Sequence, residues 1–192
     1  KKLTIRKLVE KYNLDLRLTP NQDVLICNIS NKDKNEIEIE LKNIGYENLD
    51  DINEIQRHAL ACPALPLCGL AMTEAERILP DILERIDNLL KSLNIKKTIL
   101  FRITGCPNGC SRPYMAELAL VGSGLNKYQL WLGGSKNLQR LAKPYLQRMP
   151  LDKMECILTP LLLEWRKYSL DLDFGDFVDK NEDSFILDLL SN

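Results

Sequence analysis

Two cysteine pairs constrain what this chain can fold around. Cys62 and Cys68 stand in CPALPLC with five residues between them, and Cys106 and Cys110 stand in TGCPNGC with three. Pro and Gly flank both pairs, so the backbone can turn sharply and aim two thiols at one point. Four thiols in two tight pairs suit a ligand set for a small inorganic centre, an iron-sulfur cluster before others. Zinc on the same thiols, or a group of inert buried cysteines, are the alternatives that the spacing leaves open. Cys27, among Leu25, Ile26 and Ile29, reads as a small strand hydrophobe, and Cys156, beside an apolar helix face, reads as core. His58 is the only histidine, four residues before Cys62, and stays outside the set because four thiolates complete it.

The remaining composition narrows the class of protein. The chain has 192 residues with 45% hydrophobic, enough for one large or two small cores. Lys and Arg number 26 against 27 Asp and Glu, a formal charge of −1, and no basic block or basic amphipathic helix points to nucleic acid or a membrane surface. No run approaches the roughly 18 apolar residues of a membrane span, and no signal-peptide pattern opens the chain. Clustered cysteines indicate a reducing compartment. The first residue is Lys1, and the chain reads as a fragment.

Along the chain, Leu3, Leu8 and Tyr12 predict one face of a short helix closed by Asn13. Leu14, Leu16 and Leu18 alternate with polar residues and predict a half-buried strand. Pro20 and Asn21 turn it into an antiparallel partner in DVLICNI. In residues 30–43 the alternation of Ile37, Ile39 and Leu41 favours a strand while the Glu and Lys content favours a helix, and helix is the reading adopted. Gly45 ends this unit, and residues 48–56 read as a connection. Beyond Cys68, Thr73 and Glu76 have the spacing of a capping box, and Ile82, Leu83, Ile86, Leu89, Leu90 and Leu93 form an apolar stripe with Pro80 in the first turn. Residues 98–104 predict a strand that delivers Cys106 at its C-terminal end. Residues 117–122 and 127–134 predict a hairpin turning at 123–126, residues 138–149 a helix, 154–169 a longer helix, and 184–190 a short terminal one.

The segments CPALPLC, GLAMTEAERILP, RITGCPNGCSRPYMAELALVG and YQLWLGG together resemble the C-terminal half of the siroheme and iron-sulfur sulfite reductases, within the nitrite/sulfite reductase family. The ferredoxin-dependent type is the nearest match. RLTPNQDVLICNI is similar to the ferredoxin-like half-domain that precedes the cysteines in that family. The resemblance implies an α+β fold, with a ferredoxin-like half-domain over residues 1–45 and a mixed-sheet siroheme and 4Fe-4S binding domain over residues 46–192.

It further implies that Cys62, Cys68, Cys106 and Cys110 hold a 4Fe-4S cluster and that Cys110 also bridges to the siroheme iron. Asn108 and Met72 match positions beside the cofactors. Arg17, Asn21 and Gln22, together with Arg102 and Arg112 around the second pair, are further candidates for cofactor contact. The implied activity is assimilatory six-electron reduction of sulfite to sulfide with ferredoxin as donor. An assimilatory nitrite reductase and a non-catalytic iron-sulfur module are the alternatives. The implied partner is the N-terminal half of the same enzyme, which supplies basic residues for sulfite and the siroheme carboxylates, so that this stretch alone is expected to be inactive. The implied setting is the cytoplasm or the plastid stroma.

Overall fold

Helix α1 (Lys2–Tyr12) opens the chain and ends where Asn13 takes a left-handed conformation, φ 50°, a geometry Asn tolerates better than most residues. The computed structural model describes residues 1–21, 23–46 and 52–191. They form two compact units, Lys1–Arg57 and His58–Asn192.

In the first unit α1 is followed by β1 (Asp15–Leu18) and β2 (Val24–Cys27), paired antiparallel with Asp15 opposite Cys27 and Leu18 opposite Val24. Helix α2 (Lys34–Asn43) follows and is closed by Gly45 at φ 78°. Leu8, Leu14 and Ile37 form the buried core, with Val9, Tyr12, Ile26, Ile29 and Leu41 packed around it. Only part of the expected pattern is buried. Leu16 and Leu18 are 43% and 84% exposed, so β1 has no buried face beyond Leu14, and Leu3 points to solvent. In α2 it is Ile37 and Leu41, one helical turn apart, that face the core, while Ile39 is exposed, so the helix reading holds. Gln22 and part of the expected connection at 48–56 lie outside the described residues. Helix α3 (Glu54–His58) ends that connection.

The second unit is built on a five-stranded mixed sheet in the order β3-β4-β5-β6-β7. Strand β3 (Leu60–Ala61) leads to the first cysteine pair, and a 3₁₀ turn at Glu76–Ile78 passes into α4 (Leu79–Ser92) with Pro80 in its first turn. Strands β4 (Phe101–Thr104), β5 (Leu118–Gly124), β6 (Lys127–Leu132) and β7 (Lys143–Pro150) complete the sheet. Helices α5 (Met154–Arg166), α6 (Phe174–Lys180) and α7 (Asp183–Ser191) end the chain. β3, β4 and β5 run parallel, and β5, β6 and β7 antiparallel. All four residues of β4 are buried, as a strand covered on both faces requires.

Three local expectations are corrected. The stretch expected to be helical at 138–149 is largely β7. Pro144 would cost a helix interior about 3 kcal/mol, but an edge strand accepts it, and it lies opposite Trp131. Thr73 does not cap a helix: it is fully buried, its hydroxyl donates to the Tyr128 hydroxyl at 3.0 Å and accepts the Asn126 N–H at 3.2 Å. Cys156 is exposed on the first turn of α5 rather than in the core.

Glu117 joins distant parts of this unit. Its side chain is fully buried, one carboxylate oxygen accepting the N–H of Leu100 at 2.8 Å and the other that of Gly175 in α6 at 2.9 Å. Burial pushes the carboxyl up, and those two N–H bonds act in the opposite direction. Helices α4 and α5 are tied by Arg85, which grips both oxygens of Glu155 at 2.5 and 2.7 Å and donates to the Leu151 carbonyl at 2.9 Å.

Candidate functional site

The two cysteine loops leave the same end of two adjacent parallel strands. Leu60 is opposite Arg102 and Ala61 opposite Ile103. Cys62, the residue after β3, therefore comes level with Thr104, and Cys106 follows two residues later. Parallel strands carry their loops at a common end, a usual place for a site because rigid elements hold the loops there.

Specific contacts press the loops together. The Cys62 N–H donates to the Ile103 carbonyl at 3.3 Å, and the Met72 N–H donates to the Gly105 carbonyl at 2.8 Å. Gly105 has no room for a side chain, since a Cβ there would lie 2.6 Å from the Ala64 Cβ and 2.8 Å from the Thr73 carbonyl. Gly122 on β5 would likewise put a Cβ 2.2 Å from the Gly105 carbonyl. These two glycines allow three backbone segments to meet beside the thiols.

Within the first loop the Cys68 N–H donates to the Ala64 carbonyl at 2.8 Å, and the Ala71 N–H to the Cys68 carbonyl at 3.1 Å. The second loop is a chain of tight turns, with Gly109 N–H to Cys106 at 3.4 Å and Arg112 N–H to Gly109 at 2.7 Å. Gly109 adopts φ 68°, which a side chain would resist. Tyr114 props this loop from below. Its hydroxyl donates to the Pro107 carbonyl at 2.7 Å, and its ring meets Trp131 edge-on at 4.5 Å between centroids. Burial, and then the neighbouring Cys106, push the Tyr114 hydroxyl up.

Cys62 and Cys106 are buried, Cys68 is half-buried and Cys110 is exposed. The Cys62 sulfur accepts two hydrogen bonds, from the Thr104 hydroxyl at 3.3 Å and from the Gly105 N–H at 3.2 Å. Among the described residues no three His, Cys, Asp or Glu side chains close around a single ion; the four cysteines lie two on each of two loops joined by the hydrogen bond of Met72 to Gly105.

Met72 is 45% exposed on the first loop and Asn108 is exposed on the second. Arg102 is 1% exposed beneath the second loop, where its Nη1 donates to the Arg112 carbonyl at 3.1 Å and its Nε has no hydrogen-bond partner among the described residues. His58 is exposed at the end of α3. Arg17 is exposed on β1 and Asn21 lies in the turn after it, both in the first unit. Thr104 and Tyr114 were not legible as site residues from spacing alone. The Thr104 signal is its position one before Gly105 on a strand aimed at the cysteines, and for Tyr114 there is only an aromatic four residues past Cys110.

Residues 1–44 match the family described as the nitrite/sulfite reductase ferredoxin-like half domain. Over 178 residues, 92% of its length, the chain is 46% identical to the sulfite reductase (ferredoxin) of Synechococcus elongatus, of which it spans 28%. It is 40% identical over 179 residues to the sulfite reductase (NADPH) hemoprotein beta-component of Staphylococcus epidermidis, of which it spans 31%. The solved structure of the Mycobacterium tuberculosis NirA protein superposes with a TM-score of 0.75 at 20% identity, covering 96% of this chain and 36% of that one. The fold is the one seen in that part of the NirA protein. The chain is similar in sequence to these two sulfite reductases and spans less than a third of the length of either.

Proposed function

We propose that the chain is the cofactor-binding part of an assimilatory sulfite reductase, which reduces sulfite to sulfide with six electrons drawn from ferredoxin. The observation that carries this reading is the pair of cysteine loops leaving one end of β3 and β4 and pressed together at Gly105. In this reading residues 1–45 form the half-domain and residues 46–192 carry the cofactors. Cys62, Cys68, Cys106 and Cys110 would hold a 4Fe-4S cluster.

The residues fit that group. Cys62 and Cys106 are buried away from water, two donors meet the Cys62 sulfur, and side chains are missing where the segments crowd. Cys110 would be the thiolate shared with siroheme, and Asn108 and Met72 would stand beside it. All three are exposed, as residues that await a large second group should be. When bound, the cofactors supply a one-electron store next to an iron that takes the substrate.

The chain's own residues hold the ligands in place: Tyr114 and Ser111 fix the second loop, the latter by donating to the Ile103 carbonyl at 2.7 Å. Sulfite and the siroheme carboxylates are anionic and need paired cations, which the N-terminal half of the same enzyme would supply. The 46% identity to a ferredoxin-named relative supports ferredoxin as donor. The compartment of the proposed enzyme is the cytoplasm or the plastid stroma. Among the described residues no helix is long and apolar enough to cross a membrane.

The test is to isolate the whole protein anaerobically, assay iron and acid-labile sulfide, record its visible spectrum, and measure sulfide release from sulfite with reduced ferredoxin. About four cluster irons per chain, siroheme absorbance and sustained turnover are expected. Zinc in place of iron, or a loaded protein that leaves sulfite unchanged, would overturn the reading.

A further inference from the structure

The two donors on Cys62 come from different parts of one strand end. Thr104 closes β4, is fully buried, and has no water to turn to, so its hydroxyl must find a partner in the protein. Two other buried hydroxyls nearby are aimed at oxygen: that of Ser111 at the Ile103 carbonyl and that of Thr73 at Tyr128. The Thr104 hydroxyl alone of these is aimed at a sulfur, and the adjacent Gly105 N–H meets the same atom.

We infer that Thr104 sets the reduction potential of the centre Cys62 holds, its hydroxyl stabilising negative charge on that sulfur. This rests on the proposal above that Cys62 is a cluster ligand. Hydrogen bonds to ligand sulfurs are among the levers that set iron-sulfur potentials. Gaining one electron, drawn from the external donor, makes such a centre more anionic. A donor on the sulfur therefore favours the reduced form over the oxidised one, and losing it shifts the midpoint potential to more negative values. Thr104 acts through Cys62 and is a positioning residue rather than a catalytic one.

A merely structural Thr104 makes a different prediction. Thr104→Val keeps the β-branched shape that suits a strand and leaves no polar group stranded, because the Gly105 N–H still meets the sulfur. Structure alone would then leave the potential unmoved.

The experiment is a redox titration of the cluster, followed by its electron paramagnetic resonance, in the cofactor-loaded whole protein. Wild type is compared with Thr104→Val, Thr104→Ala and Thr104→Ser. The Val and Ala variants should both shift to more negative midpoint potentials at full iron content, and the Ser variant, which keeps the donor, should titrate with wild type. Equal potentials in wild type and in either variant lacking the hydroxyl would overturn the inference. A wild-type protein without a cluster, or a Cys62→Ser variant that keeps a complete one, would overturn the ligand reading itself and the inference with it.

Discussion

Arg102 reaches across the base of the second cysteine loop to the carbonyl of Arg112, which stands in a left-handed conformation at φ 55°. Burial, and then the charge of Arg112, push the Arg102 guanidinium down to about 10, so it remains charged at neutral pH. Arg102→Met keeps most of the buried volume but leaves the Arg112 carbonyl without this donor. The carbonyl still accepts the Met115 N–H at 3.1 Å, so we expect only the net worth of one hydrogen bond to be lost, about 0.5–1.5 kcal/mol. Urea unfolding of the variant against wild type measures it, and an unchanged midpoint would show that the contact carries no stability.

The glycines at the meeting of the loops differ sharply in what they tolerate. Gly122→Ala forces a Cβ to 2.2 Å from the Gly105 carbonyl, and the backbone must part to admit it. Overpacking of this kind should cost about 3 kcal/mol. Gly69→Ala meets nothing within 4 Å among the described residues and should stay within about 0.5 kcal/mol of wild type. Thermal melts of the two variants should separate clearly.

The Arg85 and Glu155 pair gives a pH signature. The hydrogen bond from Arg85 holds the Glu155 carboxyl below its ordinary value of 4.5. A depressed carboxylate stabilises the fold above the unfolded value and loses that contribution as pH falls through the folded one. The two side chains are 24% and 35% exposed, so solvent screening limits the pair to about 1 kcal/mol. Glu155→Gln should therefore be less stable than wild type at pH 7, with the gap closing as pH drops below about 4.5. A gap that persists at pH 2.5 would mean that packing rather than charge sets it.

Serine in place of Cys62, Cys68, Cys106 or Cys110 should each lower iron content and visible absorbance in the reconstituted whole protein. Cys110→Ser should in addition uncouple the cluster from siroheme. Cys156→Ser should leave both signals intact and change stability by no more than about 0.5 kcal/mol, because that thiol is exposed. Iron assays on the series test the ligand set one position at a time.

What could be read from the sequence followed from local physics. The left-handed Asn13, Pro80 in the first turn of α4 and the hairpin of β5 with β6 each leave a signature within a few residues. The pairing of β3 with β4 leaves none. A two-residue strand has no period to detect, and its partner lies some forty positions away, so the placement of the cysteine pairs on neighbouring parallel strands emerges only in three dimensions. Thr73 failed for the opposite reason, a correct local pattern overridden by the buried hydroxyl of Tyr128. The stretch around Pro144 carries helical spacing, yet the free edge of β6 claims it.

Glu117 lies outside both cysteine loops, and yet it fixes how short a working cysteine-bearing piece can be. One of its oxygens holds the start of the strand that delivers Cys106, and the other holds the head of α6. A chain cut ahead of Gly175 would strand half of a buried carboxylate beside that strand, at a cost of about 1–3 kcal/mol or more for a charged group. The C-terminal helices are therefore chassis rather than appendage, and a minimal version of the cysteine unit cannot be made by trimming them away.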